Sequence, residues 1–470
     1  MFLRNKTAWR KKTALGNNLV KRLLGVKDVV VEDVSLKDEA VSVDSEAFGI
    51  VAGVRPHKRD CMRCPKCGRK LHGYDRCRKP KLWRTPDFNG IKMFLRYRQW
   101  RVRCPEHGVC IESVPWAMPA TAFTKDFTCL AALLAMRLGR SAAAEMLRIN
   151  WRTALSCIDR TLKFLEPDPS ARCKGLVNIG IDETSCAKGR RHITTVVNHD
   201  SGVTVRAGEG RDKETLSRFF EGLAEEERAG IRTVSGDAAT WIRTCVEKCC
   251  PNARFCLDGF HAVQWAVDAV DEVRRGEWNA VRAGARELQR RLKALPDDAT
   301  EGERKKLNED IKIAKGAARE IKGTRSALCK NLGNLTPGQR RKLEHVVENS
   351  SRLARAHRLK ELARLVFHAG TAEEARAAFK EFFWKATHSR LEPFRKLAWS
   401  YREHLESIVN SVENGLSNAL AESNNSKIKL MVRKAYGFKL IENLLSVVML
   451  GCSKLRIPLP NRNGYGMAPC

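Results

Sequence analysis

The chain has no apolar run approaching the eighteen or so residues needed to cross a bilayer, which excludes membrane-spanning helices. Its start, Met1 to Arg22, is basic without an apolar core and does not read as a secretory signal. A Gly-rich phosphate loop is missing, so no nucleotide cofactor is expected. No repeat of fixed period appears, which argues against a solenoid or array. Acid is scarce beside base: Asp plus Glu number 54 against 86 Lys plus Arg, a formal charge of +32. Such an excess selects a polyanion, with nucleic acid ahead of a membrane surface.

At 470 residues and 43% apolar, the chain is long enough for two to four domains with real cores. Seventeen cysteines is an odd number and accompanies no secretory signal, so a reducing compartment with a few metal-bound thiolates is expected. The other cysteines, such as Cys129, Cys157 and Cys329, read as small core hydrophobes.

Composition divides the chain. Residues 1–54 form an N-terminal segment whose acidic stretch, 28 to 46, reads as a strand or a linker. Residues 55–115 are strongly basic and cysteine-bearing, and 120–166 are helical up to the linker Glu166-Pro-Asp-Pro-Ser170. In the last unit, 172–470, Leu176–Ile181, His192–Val197 and Val203–Val205 read as successive strands. A helix over Lys213–Glu227, a strand over Ile231–Ser235, a helix over Ala238–Lys248 and a strand over Ala253–Leu257 follow. Three meandering strands and then αβαβ predict a mixed five-stranded α/β core. A charged helical stretch occupies about 262–411.

Cys64-Pro-Lys-Cys67 and Cys104-Pro-Glu-His107 are two ligand pairs, each with two residues between, suited to a tetrahedral structural Zn²⁺. Gly68 supplies the tight turn, and Cys61, Cys77 and Cys110 are alternative ligands. The aromatics Trp83, Tyr97 and Trp100 among the cations suit phosphate contact and stacking, or else pack a small core. Further on, a break at Gly139, a short helix from Ser141 to Arg148 and a third helix match helix-turn-helix spacing, with Ser141 and Asn150 as N-cap residues. Trp151, Arg152 and Thr153 would then face DNA bases, unless these helices are a plain packing unit.

Three carboxylates stand out. Asp182 ends the first predicted strand and Asp237 follows the fourth. If those strands are parallel neighbours, about 4.8 Å apart, both carboxylates emerge at one edge and share a divalent ion. Glu422 opens a helix whose apolar face is Ile428, Met431, Val432 and Ala435, with Lys429 and Arg433 in line with Glu422 on the other side. Two Mg²⁺ (or Mn²⁺) ions there would activate a water or a 3′-hydroxyl against a phosphodiester. Lys427, Lys429, Arg433 and Lys434 are candidates for DNA phosphates.

In order, these pieces resemble the DDE transposases of bacterial insertion sequences, most closely the ISL-three family. The resemblance runs from about residue 60 to 450. It rests on Cys64-Pro-Lys-Cys67 with Cys104 and His107, Gly180-Ile-Asp-Glu183, Ser235-Gly-Asp237 and Asp258-Gly-Phe-His261. Glu422-Ser-Asn-Asn-Ser-Lys-Ile-Lys429 with Arg433-Lys-Ala-Tyr-Gly-Phe438 is its most specific part. It implies a ribonuclease-H-like, retroviral-integrase-like core with a large helical insertion, preceded by a zinc-binding domain and a helix-turn-helix. It also implies Asp182, Asp237 and Glu422 as catalytic metal ligands, with Asp258 and His261 in support. The expected activity is cutting at terminal inverted repeats and joining the 3′-hydroxyl ends to target DNA. A homodimer or larger assembly in the bacterial cytoplasm, on the nucleoid, goes with it. The competing readings are a non-catalytic DNA-binding regulator and a structure-selective nuclease on the same core.

Overall fold

The computed structural model describes residues 29–37, 49–186, 191–415 and 419–459. The basic start Met1–Arg22, the acidic stretch beyond residue 37 and Lys188-Gly189-Arg190, which the sequence marks as a turn between the first two strands of the last unit, lie outside the described residues. Among the described residues no helix is long and apolar enough to cross a membrane.

Four β-branched valines, Val29, Val30, Val31 and Val34, make the start of the acidic segment a strand, β1 (Val29–Lys37). It joins β2 (Gly49–Pro56), β4 (Lys81–Phe88) and β5 (Ile91–Tyr97) in a sheet of order β1-β2-β5-β4. Three short strands, β3 (Gly73–Arg76), β6 (Trp100–Cys104) and β7 (Gly108–Ile111), form a second sheet of order β3-β6-β7. Trp83 and Tyr97 are buried, each edge-on to Trp116 at 5.7 and 5.6 Å, so they pack the core and are not free to stack on bases. Trp100 is half-buried beneath the Arg76 guanidinium. Glu112, buried, accepts from Met62 N, Trp100 N and Tyr97 Oη and so ties the two sheets together.

The helices α1 (Lys125–Leu138), α2 (Arg140–Leu147) and α3 (Trp151–Leu165) follow. Thr124 caps α1 and Asn150 caps α3 through their side chains. Ser141 is not a cap. The α1–α2 break is made by Gly139 at φ +94°, which puts Ser141 inside α2. The buried Arg84 of β4 donates to Leu147 O and Arg148 O, satisfying the last carbonyls of α2.

The central sheet contains β8 (Asn178–Ser185), β9 (His192–Asn198), β10 (Val203–Glu209), β11 (Thr233–Gly236) and β12 (Arg254–Leu257). Its order is β10-β9-β8-β11-β12, antiparallel in the meander and parallel from β8 through β11 to β12. The expected helix over Lys213–Glu227 is instead two, α4 (Lys213–Glu221) and α5 (Glu225–Gly230). Gly222 closes the first, and the Glu227 carboxylate restarts the second by accepting from Ala224 N. With α6 (Thr240–Cys249), α4 covers one face of the sheet through Leu216, Phe219, Phe220, Ile242 and Val246.

From α7 (Gly259–Lys293) to α14 (Leu405–Asn414) the chain is helical around its own core, which includes Phe382, Phe394 and Tyr401. It returns along β12, where Asn410 Nδ2 donates to Phe255 O and Ser411 Oγ to Leu257 O. Those bonds occupy edge carbonyls that would otherwise pair with another strand. Then α15 (Ala419–Lys434) and α16 (Ile441–Cys452) lie on the other face of the sheet. Val447 and Leu450 of α16 also enter the core of α1–α3.

Candidate active site and metal cluster

Pairing of Ser235 with Gly180 and of Gly236 with Leu257 sets the register of the three parallel strands. Continued past the end of β11, it brings Asp182, Asp237 and Asp258 level in one row. Asp182 does not end its strand, as the sequence suggested. Antiparallel pairing with β9 carries β8 on to Ser185, so Asp182 sits opposite Thr195 inside it.

Asp182 is 8% exposed, and its two carboxylate oxygens accept from Glu183 N (2.7 Å) and Asn425 Nδ2 (2.6 Å). Burial pushes its carboxyl up to about 6. The Glu183 N–H opposes the rise, and Asp258 and Asp237 add to it. Half-buried Asp237 accepts from Ala239 N. Asp258, 2% exposed, caps α7 through Phe260 N and meets His261 Nδ1 at 2.5 Å. Its carboxylate is therefore already engaged. That bond, with Asp182 and Asp237 nearby, raises the His261 imidazole above its ordinary value. Glu183 was not singled out from sequence. Burial and then the charge of Asp237 raise its carboxyl, and adjacency to Asp182 was the available signal.

The buried side of α15 consists of Ala421, Asn424, Asn425 and Ile428. Glu422 is half-buried at the rim of that side, one turn before Asn425, while Lys429 and Arg433 are exposed as expected. Lys427 is half-buried, and the Lys434 ammonium donates to Arg137 O at the end of α1. Asn425 is the contact that sequence reasoning missed. Its signal was the paired asparagine one helical turn beyond the glutamate.

Among the described residues, one group of three or more Cys, His, Asp or Glu has ligand atoms mutually within 4.8 Å, and it is Cys64, Cys67, Cys104 and His107. The three carboxylates are not gathered to that distance. Asp182 and Asp237 share a register, and Glu422 stands on α15, the helix that packs on β8. In the Cys/His cluster, Cys67 Sγ lies 3.7 Å from Cys104 Sγ, and His107 Nδ1 lies 3.6 and 3.5 Å from Cys64 and Cys104 Sγ. Thiolates placed tetrahedrally about 2.3 Å from one centre would be about 3.8 Å apart, so the spacing suits one ion. Gly68 and Gly108, both at φ +68°, make the turns. Cys110 Sγ is 3.9 Å from Cys64 Sγ, just outside the set. The core assignment holds for Cys129 and Cys157, whose thiols burial pushes up to about 11 and about 12, while Cys329 is half-buried.

On α3, Trp151 and Arg152 are exposed and Thr153 is half-buried. The guanidinium groups of Arg140 and Arg152 both lie over the Trp151 ring, 4.9 and 4.8 Å from its centroid.

A basic chain with an acidic row just beyond the parallel pairing of its strands is the setting of an enzyme of phosphodiester chemistry. Comparison with known proteins agrees: a family profile for ISL3 DDE transposases, described as "Transposase", matches residues 179–448. The chain belongs to the ISL3 (ISL-three) family of insertion-sequence transposases, DDE enzymes that cleave DNA and transfer its strands with divalent metals. It is 37% identical over 448 residues to the transposase for insertion sequence element IS1557 of Mycobacterium tuberculosis, covering 95% of this chain and 98% of that one. It is also 24% identical over 384 residues to the transposase for IS1001 of Bordetella parapertussis, covering 80% and 86%.

Proposed function

We propose that Asp182, Asp237 and Glu422 hold the catalytic divalent ions of this transposase, on a core of the ribonuclease-H-like, retroviral-integrase-like kind. The observation carrying this reading is the level placement of Asp182 and Asp237 on adjoining parallel strands, with α15 bonded to Asp182 through Asn425. A buried carboxyl raised to about 6 beside other acids is a group that a bound cation relieves. Two Mg²⁺ or Mn²⁺ ions supply activation of the attacking water or 3′-hydroxyl and stabilisation of the leaving oxygen. Asp258 and His261 support the row: the carboxylate fixes the start of α7 and the orientation of the imidazole.

The remaining assignments follow the order of the chain. Cys64, Cys67, Cys104 and His107 hold a structural Zn²⁺ in a domain over 55–115, with 1–54 as its N-terminal segment. Residues 120–166 are a helix-turn-helix in which Trp151, Arg152 and Thr153 read the terminal inverted repeats. The catalytic unit is 172–470, with the insertion at about 262–411. Lys427, Lys429, Arg433 and Lys434 line the DNA beside Glu422, and two or more copies join a pair of ends in the bacterial cytoplasm.

Asp182→Ala, Asp237→Ala and Glu422→Ala are each expected to abolish Mg²⁺-dependent cleavage of an end fragment while leaving its binding nearly intact. Cleavage at the wild-type rate by any of the three removes that residue from the site.

A further inference from the structure

Resting on the reading of Asp182 and Glu422 as metal ligands, we infer that Asn425 is the positioning residue that locks the glutamate helix to the acidic strand. Its amide nitrogen donates to Asp182 Oδ2 at 2.6 Å and lies 3.4 Å from Glu183 O. Glu422 is three residues earlier on α15, on nearly the same side of the helix. One bond therefore sets both the rotation of the Asp182 carboxylate and the height at which Glu422 stands over the sheet.

The chemistry of the group matters. An ammonium at this distance would neutralise Asp182 and repel a divalent cation. An amide donates to the carboxylate, carries no charge and leaves each oxygen a second lone pair. Because Glu183 N holds the other oxygen, the carboxylate is fixed from the strand and from the helix at once. Asn425 Oδ1 is buried and has no hydrogen-bond partner among the described residues, so an acceptor stays open beside Asp182. Asn424, equally buried, offers an internal comparison. Its amide donates to Thr204 Oγ1 on β10, away from the acidic row. Loss of either asparagine removes one buried bond of α15, but loss of Asn425 alone releases a metal ligand.

The test is direct binding of Mn²⁺ to the zinc-loaded full chain, followed by the electron paramagnetic resonance of free Mn²⁺. Asn425→Ala, Asn425→Ser, Asn424→Ala and Asp182→Asn are compared with wild type, with end-DNA affinity as a check on folding. Loss of a group that orients a metal ligand typically weakens the metal 10–100-fold, so both Asn425 variants are expected to lose about tenfold in Mn²⁺ affinity. Asn424→Ala is expected to stay within about twofold, with DNA affinity unchanged in all. If both Asn425 variants bind Mn²⁺ like wild type while Asp182→Asn does not, the inference fails and the metal reading stands. Equal weakening by Asn424→Ala and Asn425→Ala also overturns it, leaving only a packing role. Wild-type Mn²⁺ binding by Asp182→Asn would instead overturn the reading of Asp182 on which the inference rests.

Discussion

Replacing Asp182 by asparagine removes a charge that the metal-free fold holds at a cost. The carboxyl rises from its ordinary 3.8 to about 6, chiefly through burial, which corresponds to about 3 kcal/mol between folded and unfolded states at neutral pH. The folded value lies above the unfolded one. The penalty is therefore absent well below pH 3.8, where both states hold the proton, grows as the pH rises through 6, and is constant well above it. About half of it remains at pH 5. Asparagine keeps the shape and the bond from Glu183 N. Its new amide finds an acceptor in Asn425 Oδ1 once the Asn425 amide turns over. The Asn425 nitrogen then leaves Glu183 O and takes the place of an oxygen that already had no partner, so the number of unpaired buried groups does not rise. Zinc-loaded protein without Mg²⁺, melted at pH 7.5, should show Asp182→Asn more stable than wild type by about 3 kcal/mol. Spread over the unit 172–470, that is about 5 °C in Tm. The gap should shrink at pH 5, and saturating Mg²⁺ should close it by stabilising the wild type alone. A variant no more stable than wild type at pH 7.5 without Mg²⁺ would refute the reasoning, because the carboxylate would then bear no burial cost.

Two further outcomes are expected. Gly139→Ala forces φ +94° on an L residue and sets its Cβ 2.6 Å from Lys434 O, so stability should fall by about 2–4 kcal/mol in urea titrations. Affinity for end DNA should fall with it; an unchanged urea midpoint would show that α15 and the α1–α2 break yield freely. Cys67→Ser should reduce bound zinc by one ion per chain in elemental analysis and weaken end binding at fixed salt. Retention of that ion would mean that Cys110, 3.9 Å from Cys64, completes the set instead.

The five strands of the central sheet, the three helices from Lys125 and the Cys/His quartet were legible in advance because each depends on local spacing, whereas β2 to β7 were not read as strands. Strand alternation, Asn150 before a helix and two Cys-x-x-Cys/His turns act over a few residues. Glycine placement was harder to read: Ser141 resembled a cap, yet Gly139 reaches a positive φ, and only the path of the backbone shows it. Trp83 and Tyr97 had the composition of a stacking surface, and their burial comes from Trp116, which reaches them from a turn beyond β7.

The acidic residues divide in the same way. Asp182, Asp237 and Glu422 could be chosen from the chain alone, because a carboxylate after an apolar strand, or on the rim of an amphipathic helix, breaks a local pattern. Their relation stayed conditional on strand order, which the chain alone does not fix. The row of Asp182, Asp237 and Asp258 is a matter of register between strands. The engagement of Asp258 by α7 and His261 depends on where that helix begins. The long excursion from α7 to α14 closes because Asn410 and Ser411 bond the open edge of β12, which returns the chain beside the acidic row. Local periodicity can nominate side chains, but register, edge pairing and a single bond 243 residues long in sequence, Asn425 to Asp182, decide which of them meet.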